Sequence, residues 1–556
     1  MAMTVQEYIR MKALGITGLI EEPIDPRTRD ERLTFVNNIN ESIQNKLHEY
    51  GVWYSGDSEE ILNYYSRAQV LDFNYDPIYS RNKKSYFWSV SATEQDIKRT
   101  HSGQPRNIVD TLVNIVGVPR IMVGSHGGAL DKVDDRLQEI LRENHFPRLI
   151  AQRARPLTFV EGWGAWKINW DSDLSDSPIL LYYRADAVDF VYSSGRLVAI
   201  IYKDYFQDEK KQDYVLFETR RLSKGSLYIE KELFRMFPST DLIKKVPLSS
   251  LPQLRDVKES IEITNFKSFL GYPCIIYENS DGDTYGRSIF TGKIDLFDDL
   301  DQCLSQSANT VRRSTTMEYF DTMYLEKDEV TGMPKMPHSF DRKYVKYKGS
   351  TSGDGTLSGN SPVQVTQPAL NFEQYSEEAT SILLQIISGI MSPATLGIDV
   401  AKKDNAAAQR EKEKVTIFTR NVVMREEGET LRRIANDLLC ADEFMRTGKV
   451  TCRDYDVSVQ YDEFADSSYE NKLDSILKGW ESGLVSDGTA IDYLYGDTWS
   501  KKRKDAELEW IAENRKENQK LPEAQGPIGA KLGGDNPYDD AMKNDEEPEM
   551  DPGQGV

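Results

Sequence analysis

No stretch of this sequence stays apolar for the ~18 residues that a membrane-crossing helix requires. The longest apolar runs, such as Ile382 to Ile390, are interrupted by Gln385 and Ser388, so no transmembrane helix is expected. The opening residues, Met1 to Glu7, lack the basic flank and apolar core of a secretory signal, and the chain is expected to stay where it is made. Cysteine is scarce. Cys274, Cys303, Cys440 and Cys452 include no CxxC pair and no Cys/His cluster at ligand spacing. They read as buried or idle thiols in a reducing compartment. His48, His101, His126, His145 and His338 offer neither HExxH nor HxxxH, which removes the familiar zinc hydrolase sites.

Phosphate-transfer chemistry lacks its cradle. In Gly286-Arg287-Ser288-Ile289-Phe290-Thr291-Gly292-Lys293-Ile294, five residues separate the glycines where four are needed, and Ile294 stands where a hydroxyl must reach magnesium. Gly124-Ser125-His126-Gly127-Gly128 has no strand-to-helix context and reads as a turn. Acid pairs such as Asp134/Asp135 and Asp281/Asp283 are solvated charge in a chain this rich in carboxylates. No serine or cysteine has a GxSxG-like setting. The expectation is a protein that is not an enzyme and carries no cofactor and no metal.

What is present is a long, acidic, aromatic-rich chain. Its 556 residues exceed one ordinary core and suggest several substructures. An apolar fraction of 39 % and an aromatic fraction of 10 % are those of a globular protein. A net charge of −21 argues against adhesion to phosphates through Lys and Arg, though an acidic wall also lets a duplex slide without sticking.

Helices separated by turns fill the first eighty residues. Ile108, Val109, Leu112, Val113, Ile115 and Val116 then predict a helix stopped by Gly117 and Pro119, and Val133, Leu137, Ile140 and Leu141 a second one over about 131–145. From about Pro156 to Glu278 the pattern turns to strands, with a hairpin around Ser193-Ser194-Gly195-Arg196. A helix over about 291–313 carries Ile294, Phe297, Leu300, Leu304, Ala308 and Val311 on one face and Asp295, Asp298, Asp299 and Asp301 elsewhere. A turn-rich β excursion follows over 316–370, then a helix over about 371–388, a loop from Met391 to Asp404, and a helical pattern from Asn405 to about Phe444 with a kink expected near Gly428. Val457 to Tyr461 reads as a strand. In the helical end, Ser486 is placed to cap a helix. The acidic segment beyond Leu521 is expected to be disordered.

This order resembles the portal proteins of tailed bacteriophages, of the type found in phages of Gram-positive hosts. Lys98-Arg99-Thr100-His101 through Asp110 is similar to their N-terminal helix motif, and Ile387-Ser388-Gly389-Ile390-Met391-Ser392-Pro393 resembles the start of their tunnel loop. Asp404-Asn405-Ala406-Ala407-Ala408-Gln409-Arg410-Glu411-Lys412-Glu413-Lys414 looks like the start of the long helix behind that loop, and Gly483-Leu484-Val485-Ser486 resembles the helix-turn-helix of their crown. One departure is Lys402-Lys403-Asp404-Asn405, where such portals often carry Ser-Gly.

The resemblance implies an α+β portal fold: N-terminal helices and β-rich wing over 1–285, first stem helix 286–315, clip 316–370, second stem helix 371–390, tunnel loop 391–404, long wing helix and strand 405–465, helical crown 466–520 and acidic tail 521–556. It implies a closed homo-oligomeric ring, about twelve copies, at one capsid vertex of the virion, assembled in the host cytoplasm. Double-stranded DNA would pass through it, and the large terminase, head-completion proteins, major capsid protein and scaffold would dock on it, with no membrane partner. Channel-loop candidates are Met391, Ser392, Thr395, Lys402, Lys403, Asp404 and Asn405. In such a ring Asp295, Asp298, Asp299 and Asp301 would stack as acidic rings if they face the bore, or form a solvated outer face. The competing classes are another head–tail connector or capsid-associated ring, normally shorter and without paired stem helices, and an acidic cytosolic enzyme.

Overall fold

A computed structural model describes residues 32–34, 41–70, 86–89, 97–124, 130–237, 242–278, 285–314, 316–321, 342–347, 363–366, 372–398, 413–461, 485–495 and 501–518, with scattered positions over 325–333 and 473–483. It divides into a unit over 1–464 and a smaller one over 465–556. The fold is a mixture of helix and sheet of the α+β kind.

In the first unit, strand β1 (Arg32–Thr34) precedes helices α1 (Glu41–Ser55), α2 (Ser58–Val70) and α3 (Gln104–Val116). Pro105 lies in the first turn of α3, where its missing N–H costs nothing, and Gly117 closes the helix by donating its N–H to the Val113 carbonyl. The face predicted to be apolar is the buried one: Ile108, Val109, Leu112, Val113 and Val116. After β2 (Arg120–Val123) comes α4 (Leu130–Glu143), which buries Leu137, Ile140 and Leu141.

The next stretch corrects the expectation of strands from Pro156. Phe146–Leu149 (α5), a π-helical turn at Ile150–Ala154 and Arg155–Glu161 (α6) form one helical run. The β-branched and aromatic residues Thr158, Phe159 and Val160 suit a strand locally, but all three are buried against the core, and the Thr158 hydroxyl donates back to the Ala154 carbonyl at 2.8 Å. Strands begin at Trp163: β3 (Trp163–Asn169), β4 (Ile179–Arg184), β5 (Val188–Ser193), β6 (Arg196–Gln207), β7 (Asp213–Ser223), β8 (Ser226–Phe237), β9 (Leu242–Val246), β10 (Ser260–Ile263) and β11 (Gly271–Ile275). They form a seven-stranded sheet ordered β1-β9-β8-β7-β6-β5, with β10 also on β8, and a three-stranded sheet ordered β11-β3-β4. Two hairpins turn on Ser194-Gly195 and Lys224-Gly225, both residues of each pair having positive φ, the geometry that matches strand twist.

Helix α7 (Ile294–Arg313) leads to a small sheet, β13 (Arg342–Tyr347), β12 (Thr316–Asp321) and β14 (Val363–Thr366), in which β12 lies between the other two. Helix α8 (Phe372–Ile387) follows, then a 3-10 turn at Pro393–Leu396. Helix α9 (Lys414–Thr447) spans 34 residues, about 50 Å at 1.5 Å per residue, and is a continuous α-helix through Gly428. The expected helical start at Asn405 lies outside the described residues. Strand β15 (Val457–Gln460) pairs antiparallel with β2. Two hydrophobic clusters organise this unit. One gathers α1, α2, α3, α7, α8 and Val423 of α9; the other gathers α4, β2, β3, β4 and Leu431 to Ala441 of α9.

The four-thiol expectation is corrected: Cys440 and Cys452 are bonded to each other, while Cys274 and Cys303 are free and buried. Nothing in a twelve-residue separation announces that pairing.

The second unit holds α10 (Asp487–Tyr495) and α11 (Lys501–Asn518). Ser486 does cap α10, its hydroxyl accepting the Thr489 N–H at 3.3 Å. The acidic segment beyond 521 lies outside the described residues.

Candidate functional site

The two helices that flank the small sheet pack side by side and antiparallel. Lys293, just before α7, donates its amine to the carbonyls of Gln385 and Ser388 at 3.2 Å each, at the far end of α8, whereas Cys303 in mid-α7 donates to the Tyr375 carbonyl near the start of α8. A lysine on the last carbonyls of a helix satisfies groups the helix itself cannot. Phe297, Leu300 and Cys303 of α7 and Ile382, Ile386 and Ile387 of α8 share one core cluster, the face predicted from their spacing. The chain thus runs out along α7, folds the small sheet, and returns along α8.

The acidic residues of α7 split into two pairs. Asp295 and Asp299 are exposed, and Asp295 accepts a hydrogen bond from the Tyr86 hydroxyl. Asp298 and Asp301 are 4 % and 0 % exposed, so within the subunit they belong neither to an acidic wall nor to a solvated face, which corrects that expectation. They hold a segment that has no ladder of its own. Asp298 accepts the Phe87 N–H at 2.7 Å and the Trp88 N–H at 3.3 Å. Asp301 accepts the Trp88 indole N–H at 3.1 Å, the Ser102 N–H at 2.8 Å and a hydrogen bond with His101 Nδ1 at 2.7 Å. One turn on, the Ser305 hydroxyl accepts the Thr100 N–H at 2.9 Å. Positions 298, 301 and 305 repeat every three or four residues, so one side of α7 is a row of acceptors for 87–88 and 100–102. The sequence signal is that spacing of acceptor side chains, each one position after a residue of the apolar stripe. Its partner motif, Arg99-Thr100-His101-Ser102, carries no local sign of the docking.

Burial pushes the Asp298 carboxyl from 3.8 up to about 7, against the pull of the Phe87 and Trp88 N–H groups, with Asp299 and Asp301 adding to the rise. The folded chain therefore keeps a proton that the unfolded chain releases between about pH 4 and 7, and stability should fall as pH rises through that window and level off above it. Asp437 of α9, held by Ser268 and Tyr272 and raised by burial to about 6, acts in the same direction. Replacing Asp298→Asn should flatten the dependence of the unfolding midpoint on pH between 5 and 8. An unchanged slope would remove Asp298 as its source.

The loop candidates divide as well. Met391 and Ser392 are each 2 % exposed, and they close the core instead of projecting from it, which corrects their assignment to a contact surface within the subunit. Ser392 donates its N–H to the Thr416 hydroxyl at 2.8 Å, Thr395 and Thr416 share a hydroxyl hydrogen bond at 2.7 Å, and Thr419 donates to the Ile390 carbonyl at 2.7 Å. The first half of the loop is thereby stitched to the first turns of α9. Thr395 is partly exposed. Lys402, Lys403, Asp404 and Asn405 lie outside the described residues.

Below this stitch, α9 is fixed by buried charge. Arg155 of α6 donates to both carboxylate oxygens of Glu427, at 3.2 and 2.7 Å, and also to the carbonyls of Val113 and Gly117 at the end of α3. Tyr461 adds a hydroxyl hydrogen bond to Glu427 at 3.0 Å, and Arg420 donates to the Ile115 carbonyl at 3.0 Å. Gly428 lies beside this joint, where a Cβ would come within 3.9 Å of the Tyr461 ring.

Among the described residues, no group of three or more His, Cys, Asp or Glu could hold a metal ion, and no helix is long and apolar enough to cross a membrane. The geometry offers an antiparallel helix pair ending in a small sheet, a stitched turn and a long anchored helix. No family model matches this chain, and no curated protein matches it.

Proposed function

We propose that the chain is the subunit of a portal-type ring, a channel at one vertex of a phage capsid through which double-stranded DNA is packaged and ejected. The observation that carries the reading is the excursion itself: α7 leaves the core, the three-stranded sheet folds at its end, α8 returns antiparallel, and a turn stitched to α9 follows directly. Exposed apolar residues on all three helices, Val311, Phe372, Leu384, Val415 and Phe418, suit burial against neighbouring copies in a closed homo-oligomer of about twelve. In this reading the small sheet takes the large terminase and later the head-completion proteins, the β-rich region meets the capsid protein and scaffold, and the ring performs no catalysis. Energy for moving DNA comes from the terminase.

The acidic lining narrows to Asp295 and Asp299, since Asp298 and Asp301 serve the subunit interior. Phosphate contact falls to Lys402 and Lys403, which lie in the sequence between the stitched turn and α9. Negative-stain microscopy with native mass measurement of the purified full chain should show rings with a central hole. Monomers at micromolar concentration carrying intrinsic ATPase activity would overturn the proposal. Within a functional ring, the paired change Lys402→Ala and Lys403→Ala should shorten the packaged DNA or weaken its retention. Unchanged packaging and retention would remove the two lysines as the DNA contact.

A further inference from the structure

We propose that Cys440 and Cys452 form a reversible redox clamp that fixes the loop between α9 and β15, independently of whether the chain assembles as a ring. Their Cα atoms are 4.8 Å apart, inside the range a disulfide spans without moving the backbone. The two sulfurs sit in opposite surroundings. Cys440 is 4 % exposed on the face of α9 that packs into the second cluster beside Leu438, Leu439 and Ala441, whereas Cys452 is exposed. Exchange therefore starts at Cys452, the accessible sulfur.

The loop has little else to hold it. Its first residue, Gly448, donates to the Phe444 carbonyl at 2.8 Å. Its far end is fixed by Asn436, which donates to the Tyr455 carbonyl at 3.1 Å and accepts the Tyr455 N–H at 2.9 Å, and by the Gly124 N–H donated to the Asp456 carbonyl at 2.6 Å. Between these ties Val450 packs on the second cluster. Among the described residues, Thr451, Arg453 and Asp454 are exposed and make no hydrogen bond. The sulfur bond is the tie at the middle of the loop.

Closing needs a two-electron oxidant, and a low-molecular-weight disulfide of the glutathione type supplies it. The Cys452 thiolate attacks one sulfur of that disulfide, forming a mixed disulfide and expelling one thiolate. Cys440 Sγ then attacks the Cys452 sulfur and expels the second thiolate. The two protons lost by the cysteines end on the two small thiols, so two protein thiols are oxidised and one small disulfide is reduced. Opening is the same sequence reversed by two small thiols. The open state keeps the fold because a reduced Cys440 is a small apolar residue in an apolar place, with α9 still held by Leu431, Ile434 and Leu438.

The test uses the full chain equilibrated either with glutathione disulfide or with dithiothreitol, followed by alkylation with peptide mapping and by limited trypsin digestion, since Lys449 and Arg453 lie in the loop. The oxidised chain should yield a linked Cys440–Cys452 peptide, and its native cleavage after Arg453 should be about tenfold slower than in the reduced chain. Cys452→Ser should be cut at the reduced rate under both conditions. Alkylation of both cysteines after oxidation, a mixed disulfide that leaves Cys440 alkylated, or equal cleavage rates in the two states would each overturn the clamp.

Discussion

Glu427→Ala should lower the unfolding free energy by about 3–5 kcal/mol, the range found when one partner of a buried ion pair is removed. The size follows from what is left behind. Arg155 has a side chain with no solvent exposure, and without Glu427 its charge faces only the Val113 and Gly117 carbonyls. Tyr461 loses its acceptor at the same time. A comparison separates loss of the pair from loss of packing. In the double variant Arg155→Met/Glu427→Leu no charge is stranded, so much of the loss should return, but not all, because the end of α3 still lacks two donors. The midpoint of chemical denaturation, taken at one protein concentration, measures both. A Glu427→Ala midpoint within error of the unchanged chain would remove this joint from the forces that hold α9.

Asp301→Asn should cost about 2–3 kcal/mol, although it changes one atom, because both carboxyl oxygens accept from donors and an amide offers only one acceptor. Whichever way the new amide is turned, it sets an N–H against an N–H. Asp298→Asn should cost less than about 1 kcal/mol near pH 7, since a carboxyl raised to about 7 already spends much of its time protonated there. Trp88, whose indole is held by Asp301, reports the difference: its fluorescence should shift in Asp301→Asn and stay near the original in Asp298→Asn. Equal costs at the two positions would mean that the row of acceptors on α7 is ordinary packing.

Much of this architecture was legible because hydrophobic period decides secondary structure wherever one face must be buried. Helices α3, α7 and α8 follow from apolar residues every three or four positions, and the β5–β6 hairpin from alternation around Gly195. The misreadings share a cause. Phe159 and its neighbours favour a strand locally, but the Arg155 and Thr158 side chains commit them to a helix through groups far away or one turn back. Polarity alone placed four aspartates of α7 in water; it could not reveal that Phe87, Trp88, His101 and Ser102 lie across two of them. Met391 and Ser392 have the look of the start of a loop because Gly389 and Pro393 break the helix around them, whereas their burial depends on Thr416 and Thr419 of the next helix. Cys440 and Cys452 meet because α9 ends and doubles back, which no rule of cysteine spacing contains.

Helix α9 is threaded through the two largest hydrophobic clusters among the described residues of the larger unit, with Val423 in one and Leu431 to Ala441 in the other. A continuous rod shared by two cores couples their melting. Loss of either cluster removes part of the packing that seats α9 in the other. The same rod links its first turns, where the 391–398 segment is stitched, to the β2–β15 pair, whose flanking residues Tyr455 and Tyr461 are tied to Asn436 and Glu427 near its middle.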